Sequence, residues 1–359
     1  MKVKNKKEID FSKIEKILIR STNWIGDAVL TLPAIASIKK NFPHSYISIL
    51  CKSWVSPLLE CNTNINEVIL YDQDGIHSGI KGRLKLAREL RRNEFDLAIL
   101  LQNAFDAALI TFLAGIPLRA GYNTDLRGFL LTNKVILDRA TLKKHQVFYY
   151  LDLLKTLGMD IIEANPSVEI SKEVADRAIE ILDSFNIEDG ELLIGINPGA
   201  YFGSAKRWLP ERFAQLSDMI CEGFHARILL FGSEGDRDSF NIIFQNDGSK
   251  IINLIGKTSL LDAMTLIKKC SLFITNDSGL MHLAASMSIP LIAIFGSTDP
   301  AATSPLGNNS VILRKEVDCS PCLEKVCPTD HRCMKLIGVD EVYRHVSRIL
   351  KKGTLYHVQ

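Results

Sequence analysis

Short apolar runs alternate with longer amphipathic stretches along the first half of the chain. The short runs predict strands and the longer stretches predict helices, of which the clearest lie near residues 27–40, 80–93 and 144–157. The runs predicted to form strands are "KILIR", "YISILC", "EVILYD" and "FDLAILLQ". Alternating strands and helices build a parallel sheet that is covered by helices on both faces.

The pattern restarts after "GMDIIEANPSVEIS", a stretch of mixed polarity whose proline indicates a linker. The strands predicted beyond it are "ELLIGINPG", "ARILLFGS", "KIINLIG", "SLFITND" and "PLIAIFGS". Helices are predicted between them, near residues 172–185, 210–222, 259–269 and 278–287. We therefore predict two α/β domains in tandem, residues 1–162 and 163–359. Ligands of open parallel sheets bind beyond the carboxyl ends of the strands, so we expect the substrates in a cleft where the two domains face each other.

The composition is that of a folded protein without a membrane span. The chain has 359 residues, of which 47% are hydrophobic and 23% are charged, and this length suits two domains better than one core. It contains no run of apolar residues long enough to span a bilayer, and no apolar segment follows its basic beginning. We therefore expect a cytoplasmic protein without a signal peptide.

Basic residues are concentrated in the first half. Residues 1–160 hold 23 lysines and arginines against 16 acidic residues, a balance of +7, whereas the remainder holds 20 against 25, a balance of −5. The most basic run is "KGRLKLARELRR", which as a helix would pack Leu84, Leu86, Ala87 and Leu90 inward. The outer face would then carry Lys81, Arg83, Lys85, Arg88, Arg91 and Arg92. This face indicates either an acidic partner or a plain solvated surface.

The first strand leads into a turn that lacks the usual phosphate-binding glycines. The stretch "RSTNWIGDAVLTLPAI" has the layout strand, turn and helix, but its turn holds a single Gly-Asp pair, Gly26-Asp27. No Gly-x-Gly-x-x-Gly follows any predicted strand, which argues against an NAD-dependent oxidoreductase. Two Asp-x-Asp motifs, residues 72–74 and 236–238, fall at a predicted turn and a predicted helix start, not in the single-domain layout of metal-dependent glycosyltransferases.

Charged and helix-capping residues follow the strands of the second half. Lys206 precedes a predicted helix, where a lysine and exposed helix N–H groups can hold an anion. Glu234 follows the second strand, where an acid can accept hydrogen bonds from ribose hydroxyls. The segment 277–279, Asp-Ser-Gly, begins a helix that could face a diphosphate, with His282 one turn on. For each residue alone, the alternative is a structural role: a solvated lysine, a capping acid or a buried histidine.

Three stretches together resemble one glycosyltransferase family. They are "ILIRSTNWIGDAVLTLPAI", "NPGAYFGSAKRWLPERFAQL" and "TNDSGLMHLAASMSIPLIAIFGSTDP". In sequence, order and spacing they resemble the ADP-heptose:lipopolysaccharide heptosyltransferase family, and most of all its members that add the second heptose of the inner core. The resemblance implies an α/β GT-B fold, two Rossmann-like parallel-sheet domains facing a central cleft. It also implies inverting transfer of L-glycero-D-manno-heptose from ADP-heptose to the inner-core heptose of lipopolysaccharide, with no cofactor and no catalytic metal.

The resemblance also assigns roles to residues at the matching positions. Asp27 takes the position of the general base, which would remove a proton from the acceptor hydroxyl. Lys206 takes that of the catalytic lysine, which grips the diphosphate as charge develops on it. The residues implied to bind the donor are Glu234 on the ribose side, Thr258 as a weaker candidate near the nucleotide, Asp277, Ser278, Gly279 and His282. Tyr201 and Phe202 stand where some relatives carry hydroxyl residues, so we do not expect a direct hydrogen bond to the phosphates from there.

The acceptor that the resemblance implies is the lipid A–Kdo–heptose part of lipopolysaccharide. The alternatives are another core acceptor, either Kdo or an outer heptose, or a non-catalytic nucleotide-sugar-binding protein on the same scaffold. Because the acceptor is a phosphorylated lipid in an anionic leaflet, the basic run 81–92 predicts peripheral attachment to the inner-membrane surface. No nucleic-acid partner is expected.

Four of the eight cysteines crowd into "CSPCLEKVCPTDHRC". Cys319, Cys322, Cys327 and Cys333, with His331 nearby, could bind a structural zinc ion, although their spacing is not that of a standard pair of zinc knuckles. A reducing cytoplasm disfavours disulfides. Because the segment follows the last donor motif, we interpret it as an appended loop outside the chemistry.

Overall fold

The computed structural model describes residues 2–4, 7–188, 190–243 and 250–354. The chain divides into two compact units, unit 1 and unit 2, with the boundary between Val168 and Glu169. Each unit is built on its own β-sheet with helices packed around it, which confirms the predicted α/β class with two Rossmann-like domains. Within these described ranges, every helix is too short or too polar to cross a bilayer.

The described part of unit 1 contains a seven-stranded sheet. Its strands are β1 Lys2–Lys4, β2 Lys16–Arg20, β3 Tyr46–Cys51, β4 Glu67–Leu70, β5 Leu97–Leu100, β6 Leu118–Tyr122 and β7 Asn133–Ile136. They lie in the order β1-β7-β6-β5-β2-β3-β4, and all neighbours are parallel except β1, which is antiparallel to β7. Every residue of β5 is buried, because a central parallel strand is covered on both faces.

The helices of unit 1 follow its strands in the predicted order. They are α1 Ile25–Asn41, α2 Ser56–Glu60, α3 Gly79–Arg91, α4 Phe105–Leu113 and α5 Gln146–Thr156. The long helix α1 packs against α5, and both bury an apolar face. The turn between β2 and α1 thus lies between a strand of the sheet and a helix that packs against α5.

The described part of unit 2 contains a six-stranded parallel sheet. Its strands are β8 Leu193–Asn197, β9 Arg227–Leu230, β10 Ile251–Asn253, β11 Leu272–Asn276, β12 Leu291–Phe295 and β13 Ser310–Arg314. They lie in the order β10-β9-β8-β11-β12-β13. All residues of β8, β11 and β12 are buried, which explains why these strands are continuous apolar runs in the sequence.

Eight helices complete the described part of unit 2. They are α6 Lys172–Asp183, α7 Pro210–Phe224, α8 Arg237–Ile243, α9 Leu260–Lys269, α10 Gly279–Ser286, α11 Pro300–Thr303, α12 Arg332–Lys335 and α13 Val339–Thr354. Trp208 and Phe213 pack edge to face in the core, with ring centroids 4.9 Å apart. The rings of both residues therefore serve the packing of this core.

Each sheet has a topological switch point, where connections leave neighbouring strands in opposite directions. In unit 1 it lies at β2, which pairs with both β3 and β5. In unit 2 it lies at β8, which pairs with both β9 and β11. Such a point opens a crevice at the carboxyl ends of the strands, the usual ligand position in these sheets.

Several elements had no prediction from the sequence. They are β1, β6, β7, β13 and the helices α11, α12 and α13. Strand β6, "LRAGY", is interrupted by a charged residue and a glycine, so it lacks the continuous apolar run that identifies its neighbours. Its carboxyl end is nevertheless buried, and β5 and β7 flank it as hydrogen-bonded neighbours within the sheet.

Candidate active site

The candidate donor residues Lys206 and Asp277 lie at the switch point of unit 2. Lys206 is on the loop that follows β8, and Asp277 follows β11 directly. Strands β8 and β11 are parallel neighbours, so their carboxyl ends meet at one edge of the sheet. The fold therefore brings together two residues that are 71 positions apart in the sequence.

Lys206 and Asp277 form an ion pair that is largely shielded from solvent. Nζ of Lys206 lies 2.5 Å from Oδ2 of Asp277, and the two side chains are only 13% and 5% exposed. Oγ1 of Thr298 donates a hydrogen bond of 2.7 Å to the same carboxylate oxygen. Because a buried charge is tolerated only when it is partnered, the ammonium and the hydroxyl together hold this carboxylate in place. The ammonium is in turn oriented toward a negatively charged oxygen before any ligand binds.

Asn276 fixes the loop that carries Lys206 to the end of β11. Its Oδ1 accepts a hydrogen bond of 2.9 Å from the backbone N–H of Trp208, and its Nδ2 donates one of 2.7 Å to the carbonyl of Pro198. Nε1 of Trp208 donates to the carbonyl of Ile337. Both ends of the loop are thereby held against one strand end, so the fold itself sets the position of Lys206.

Ser278 is the N-cap residue of α10, within the segment 277–279 that was predicted to begin this helix. Its Oγ accepts hydrogen bonds of 3.4 Å from the backbone N–H of Met281 and 2.9 Å from Nδ2 of Asn197. Gly279 is the first helical residue, and His282, later in the first turn, is buried. Because the Ser278 hydroxyl is already bonded, the backbone N–H groups at this positive helix end are the groups of α10 best suited to bind a diphosphate.

Glu234 lies at the neighbouring strand end, beside the segment that contains Thr258. It begins the turn after β9, and its largely exposed carboxylate lies 2.6 Å from the guanidinium of Arg237. Gly256 has a φ of +66°, which favours glycine, and Oε2 of Glu234 lies against its Cα. Half-buried Thr258 directly precedes the N-cap residue of α9. Glu234 and the Thr258 segment therefore lie side by side.

A second ion pair connects the Glu234 turn to the Lys206 loop. A guanidinium nitrogen of Arg207 lies 3.0 Å from Oδ1 of Asp236. The other carboxylate oxygen of Asp236 accepts hydrogen bonds of 2.9 and 2.7 Å from the backbone N–H and the hydroxyl of Ser233. The segments that carry Lys206, Glu234 and Asp277 are thus held in one framework.

The two Asp-x-Asp motifs have structural roles. Asp236 caps its own turn, as described, and the side chain of Asp238 lies outside the described residues. Asp72 accepts hydrogen bonds of 3.0 Å from the backbone N–H groups of both Gly75 and Ile76, so the first motif is the turn that the sequence predicted.

The cysteine-rich segment packs against the donor-site loops, which corrects its interpretation as an appended loop. The carbonyl of Lys325 accepts a hydrogen bond of 3.0 Å from the backbone N–H of Ala205, beside Lys206. A Cβ at Gly203 would lie 2.1 Å from that same carbonyl oxygen, so the contact requires glycine. The backbone N–H of Leu323 donates to the carbonyl of Ser297, next to Thr298. The segment therefore supports both loops that position the Lys206–Asp277 pair.

Lys325 of this segment is a site residue that the sequence did not indicate. The ring of Phe202 has the ammonium of Lys206 at 5.0 Å and that of Lys325 at 6.0 Å from its centroid. An aromatic face attracts cations, so the ring gathers two positive charges at the same edge. Phe202 thus contributes through its ring, and no local pattern in the sequence indicates Lys325, because its contact with this loop is long-range.

All eight cysteines are free thiols. In the part of the chain that the structure describes, no three His, Cys, Asp or Glu side chains are arranged to hold a metal ion. The hydrogen bond with the Thr329 hydroxyl lowers the pKa of the Cys327 thiol, whereas burial raises the pKa of Cys333. The thiols of this segment therefore differ in reactivity.

The candidate base Asp27 lies in the first turn of α1, at the switch point of unit 1. The N-cap residue is Trp24, so Asp27 is inside the helix and is not its cap. The positive end of a helix favours a carboxylate in this turn, and the side chain is half-buried. Burial, and next the charge of Asp27, raise the pKa of the Tyr150 hydroxyl of α5 well above its ordinary value. The carboxyl group of Asp27 therefore lies close to α5.

Helix α3 differs from the predicted basic face. Leu86, Ala87 and Leu90 are buried as predicted, but two of the six basic residues turn toward α4. Arg83 lies 2.5 Å from the carboxylate of Asp106, and Arg91 donates to carbonyl groups at the end of α4. Long arginine side chains reach across helix surfaces, which a helical projection does not capture. The exposed basic residues of this helix and its end are Lys81, Lys85, Arg88, Arg91 and Arg92.

Comparisons with a family profile, with known sequences and with solved structures all indicate the same family. The profile of glycosyltransferase family 9 (heptosyltransferase) matches residues 83–332 of the chain. Lipopolysaccharide heptosyltransferase 2 of Salmonella typhimurium is 32% identical over 310 residues, which are 83% of this chain and 88% of that protein. Lipooligosaccharide heptosyltransferase 2 of Campylobacter jejuni is 31% identical over 350 residues, 95% of this chain and 100% of that protein. The structure of E. coli ADP-heptose lipopolysaccharide heptosyltransferase II superimposes with a TM-score of 0.80 at 28% identity, covering 94% of this chain and 99% of that one.

Proposed function

The chain belongs to glycosyltransferase family 9, the heptosyltransferases, and on that premise we propose that it transfers L-glycero-D-manno-heptose from ADP-heptose to the inner-core heptose of lipopolysaccharide. The chain is thus a glycosyltransferase, and the proposal concerns its donor, its acceptor and the residues that act. The observation that carries the donor assignment is the Lys206–Asp277 pair at the switch point of unit 2, beside the start of α10.

We propose that the diphosphate of the donor binds between Lys206 and the N-terminus of α10. The ammonium of Lys206 is largely shielded from solvent and lies beside a carboxylate, so it is already oriented when the anion arrives. Phosphate groups bind readily at helix N-termini because the N–H groups there point outward. Lys325, across the ring of Phe202, adds a second positive charge. Glu234 would accept from the ribose hydroxyls, with Thr258 near the nucleotide and Asp277 and His282 near the sugar.

In the proposed reaction Asp27 accepts the proton of the acceptor hydroxyl. The hydroxyl oxygen forms a bond to C1 of the heptose, and the bond between C1 and the phosphate oxygen breaks, so the configuration at C1 inverts. ADP leaves with the electron pair of that bond. Lys206 and the α10 N-terminus stabilise the charge that grows on the leaving diphosphate, and this electrostatic term is commonly the largest one in such reactions. Proton transfer to a positioned carboxylate contributes about 10²–10⁴-fold.

The acceptor is proposed to be a heptose that is already on the core. The relatives that support this are named heptosyltransferase 2 and match the chain over most of its length. Kdo or an outer heptose is the alternative acceptor within the family.

We also propose peripheral attachment to the cytoplasmic face of the inner membrane through α3. Its exposed residues Lys81, Arg88 and Arg92 would face the anionic lipid that carries the acceptor. Each basic group near such a surface contributes about 1 kcal/mol, and the attraction is screened by salt.

The experiment that tests the proposed function measures ADP release from ADP-heptose in the presence and absence of a heptosylated core acceptor. The enzyme should release ADP at a high rate only when the acceptor is present. Asp27→Asn should bind ADP as the wild type does, because Asp27 is in unit 1 and the donor residues are in unit 2, but should lose about 10²-fold or more in kcat. A protein that binds ADP-heptose but releases no ADP with any acceptor would be a non-catalytic binding protein. Near-native turnover of Asp27→Asn would contradict the base assignment.

A further inference from the structure

A tryptophan ring is left half-exposed at the edge of unit 1 that carries the candidate base. Trp54 follows β3 at the carboxyl edge of the sheet and is 46% exposed. Single exposed aromatic rings are common on protein surfaces, so the meaning of this one depends on what surrounds it. Its face is apolar and electron-rich, and it lies at the ligand-binding edge of the sheet.

Trp54 is bonded to the turn that leads to Asp27. Its Nε1 donates a hydrogen bond of 2.7 Å to the carbonyl of Asn23, two residues before α1 begins. The guanidinium of Arg20 fixes the same turn, donating to Oδ1 of Asn23 at 3.1 Å and to the carbonyl of Leu50 at 3.2 Å. The indole is thus held in a fixed place close to the first turn of α1, which contains Asp27.

A buried cation supports the indole from the inner side. The ammonium of Lys52 lies 5.6 Å from the centroid of the Trp54 ring and 4.4 Å from that of Tyr71, and Lys52 is only 3% exposed. Lys52 also donates a hydrogen bond to Gln73. Because the inner side of the ring is packed against this cation, the exposed part of the ring is free to contact a ligand.

We propose that Trp54 is a stacking platform for a sugar ring of the acceptor, close to Asp27. The proposal rests on the proposed function, because it supplies the acceptor contact that unit 1 must make. The C–H groups of a pyranose ring carry partial positive charge and pack against the electron-rich face of an aromatic ring. Such a platform orients a neutral ring, so it places the attacking hydroxyl toward the carboxylate without needing a charged contact.

The test compares Trp54→Leu with Tyr46→Leu. Tyr46 is also 46% exposed but begins β3, at the opposite edge of the same sheet. Calorimetric binding of a heptosylated core oligosaccharide without acyl chains is measured first, in the absence of donor. Trp54→Leu should weaken this binding and raise the KM for the same acceptor, each by about fivefold or more, which corresponds to about 1 kcal/mol of binding free energy at about 25 °C. Its KM for ADP-heptose should stay within about twofold, and Tyr46→Leu should bind the oligosaccharide as the wild type does.

Two further measurements keep the proposal open to refutation. Trp54→Phe retains an aromatic face but loses the bond to Asn23, so it should bind the oligosaccharide better than Trp54→Leu. In the second measurement, binding of an acylated acceptor in vesicles is compared with binding of the oligosaccharide. If Trp54→Leu weakens only the binding of the acylated acceptor, the ring contacts lipid and the stacking platform is refuted. Unchanged oligosaccharide affinity in Trp54→Leu, or no oligosaccharide binding by the wild type, would also overturn it. Binding without turnover in the wild type would instead refute the proposed function alone.

Discussion

Nζ of Lys206 lies 2.5 Å from Oδ2 of Asp277, and the two residues follow the ends of neighbouring strands, where Asp277 is buried and Lys206 is largely shielded from solvent. One carboxylate thus holds in place the cation that is proposed to receive the diphosphate. The pair must also open or be shared when the donor binds, because the ammonium then faces a second anion. Thr298, which donates to the same carboxylate oxygen, remains as the partner of Asp277 in that event.

The pair predicts strong coupling between substitutions of its two residues. Lys206→Met and Asp277→Leu should each lower the free energy of unfolding, but by less than the ~3–5 kcal/mol of a fully buried pair, because Lys206 keeps some exposure and Asp277 keeps the hydrogen bond from Thr298. The double variant should lose much less than the sum of the two, since it buries neither charge. Urea denaturation of the four proteins measures this coupling. Additive losses would mean that the pair is not formed in solution.

Lys325 is predicted to assist donor binding by its charge. Lys325→Met should raise the KM for ADP-heptose about two- to fivefold, the range expected for one exposed charge contact, and should leave the acceptor KM unchanged. Lys269→Met, an exposed lysine at the end of α9, is the control and should have no effect on either KM. Identical donor KM values for Lys325→Met and the wild type would remove Lys325 from the site.

Membrane attachment is predicted to depend on the exposed cations of α3. Reversal of Lys81, Arg88 and Arg92 to Glu should weaken binding to anionic vesicles and raise the acceptor KM, with little change in the donor KM. Arg91 is excluded from this variant because its guanidinium holds the end of α4. The charge-matched control reverses Lys172, Lys250 and Lys269, exposed lysines of unit 2, and should bind vesicles as before. Equal binding of the wild type to neutral and anionic vesicles, unaffected by salt, would show that the basic face has no such role.

The thiols are predicted to differ in their pH dependence. Hydrogen bonding to Thr329 lowers the pKa of Cys327, whereas burial raises the pKa of Cys51 to about 12. Since the thiolate is the reactive form, Cys327 should be alkylated first, and its rate should level off at a lower pH than that of an ordinary thiol. Pulse alkylation with iodoacetamide between about pH 6 and 9, read by peptide mass spectrometry, checks this. Thr329→Val should shift the Cys327 profile to higher pH; an unshifted profile would mean that the hydrogen bond does not set its reactivity.

The sequence alone was sufficient to predict the strands and helices whose hydrophobic pattern is local. Strands β8, β11 and β12 are buried on both faces, so each is a continuous apolar run that can be recognised without knowing its neighbours. Strand β6 contains Arg119, whose guanidinium bonds to the carbonyl of Leu130, so its charge is satisfied by a contact that no local pattern shows.

The sequence predicted which candidate site residues follow strand ends, but not which of them contact each other. The sequence placed Lys206 and Asp277 at strand ends, but a bond between residues so far apart depends on β8 and β11 being neighbours. Lys325 was missed because its nearness to Lys206 depends on the folded chain: its carbonyl binds the backbone N–H of Ala205, and this contact brings its ammonium to the ring of Phe202. Long-range contacts of this kind are properties of the folded chain.

The central claim is that the enzyme extends a heptose on the core with heptose from ADP-heptose. The most direct measurement incubates the purified enzyme with ADP-heptose and either of two purified core acceptors, one ending in Kdo and one that already carries the first heptose, and identifies the products by mass spectrometry. The account predicts that one heptose is added to the heptosylated acceptor and none to the acceptor that ends in Kdo. Extension of the Kdo-terminated acceptor alone would contradict it.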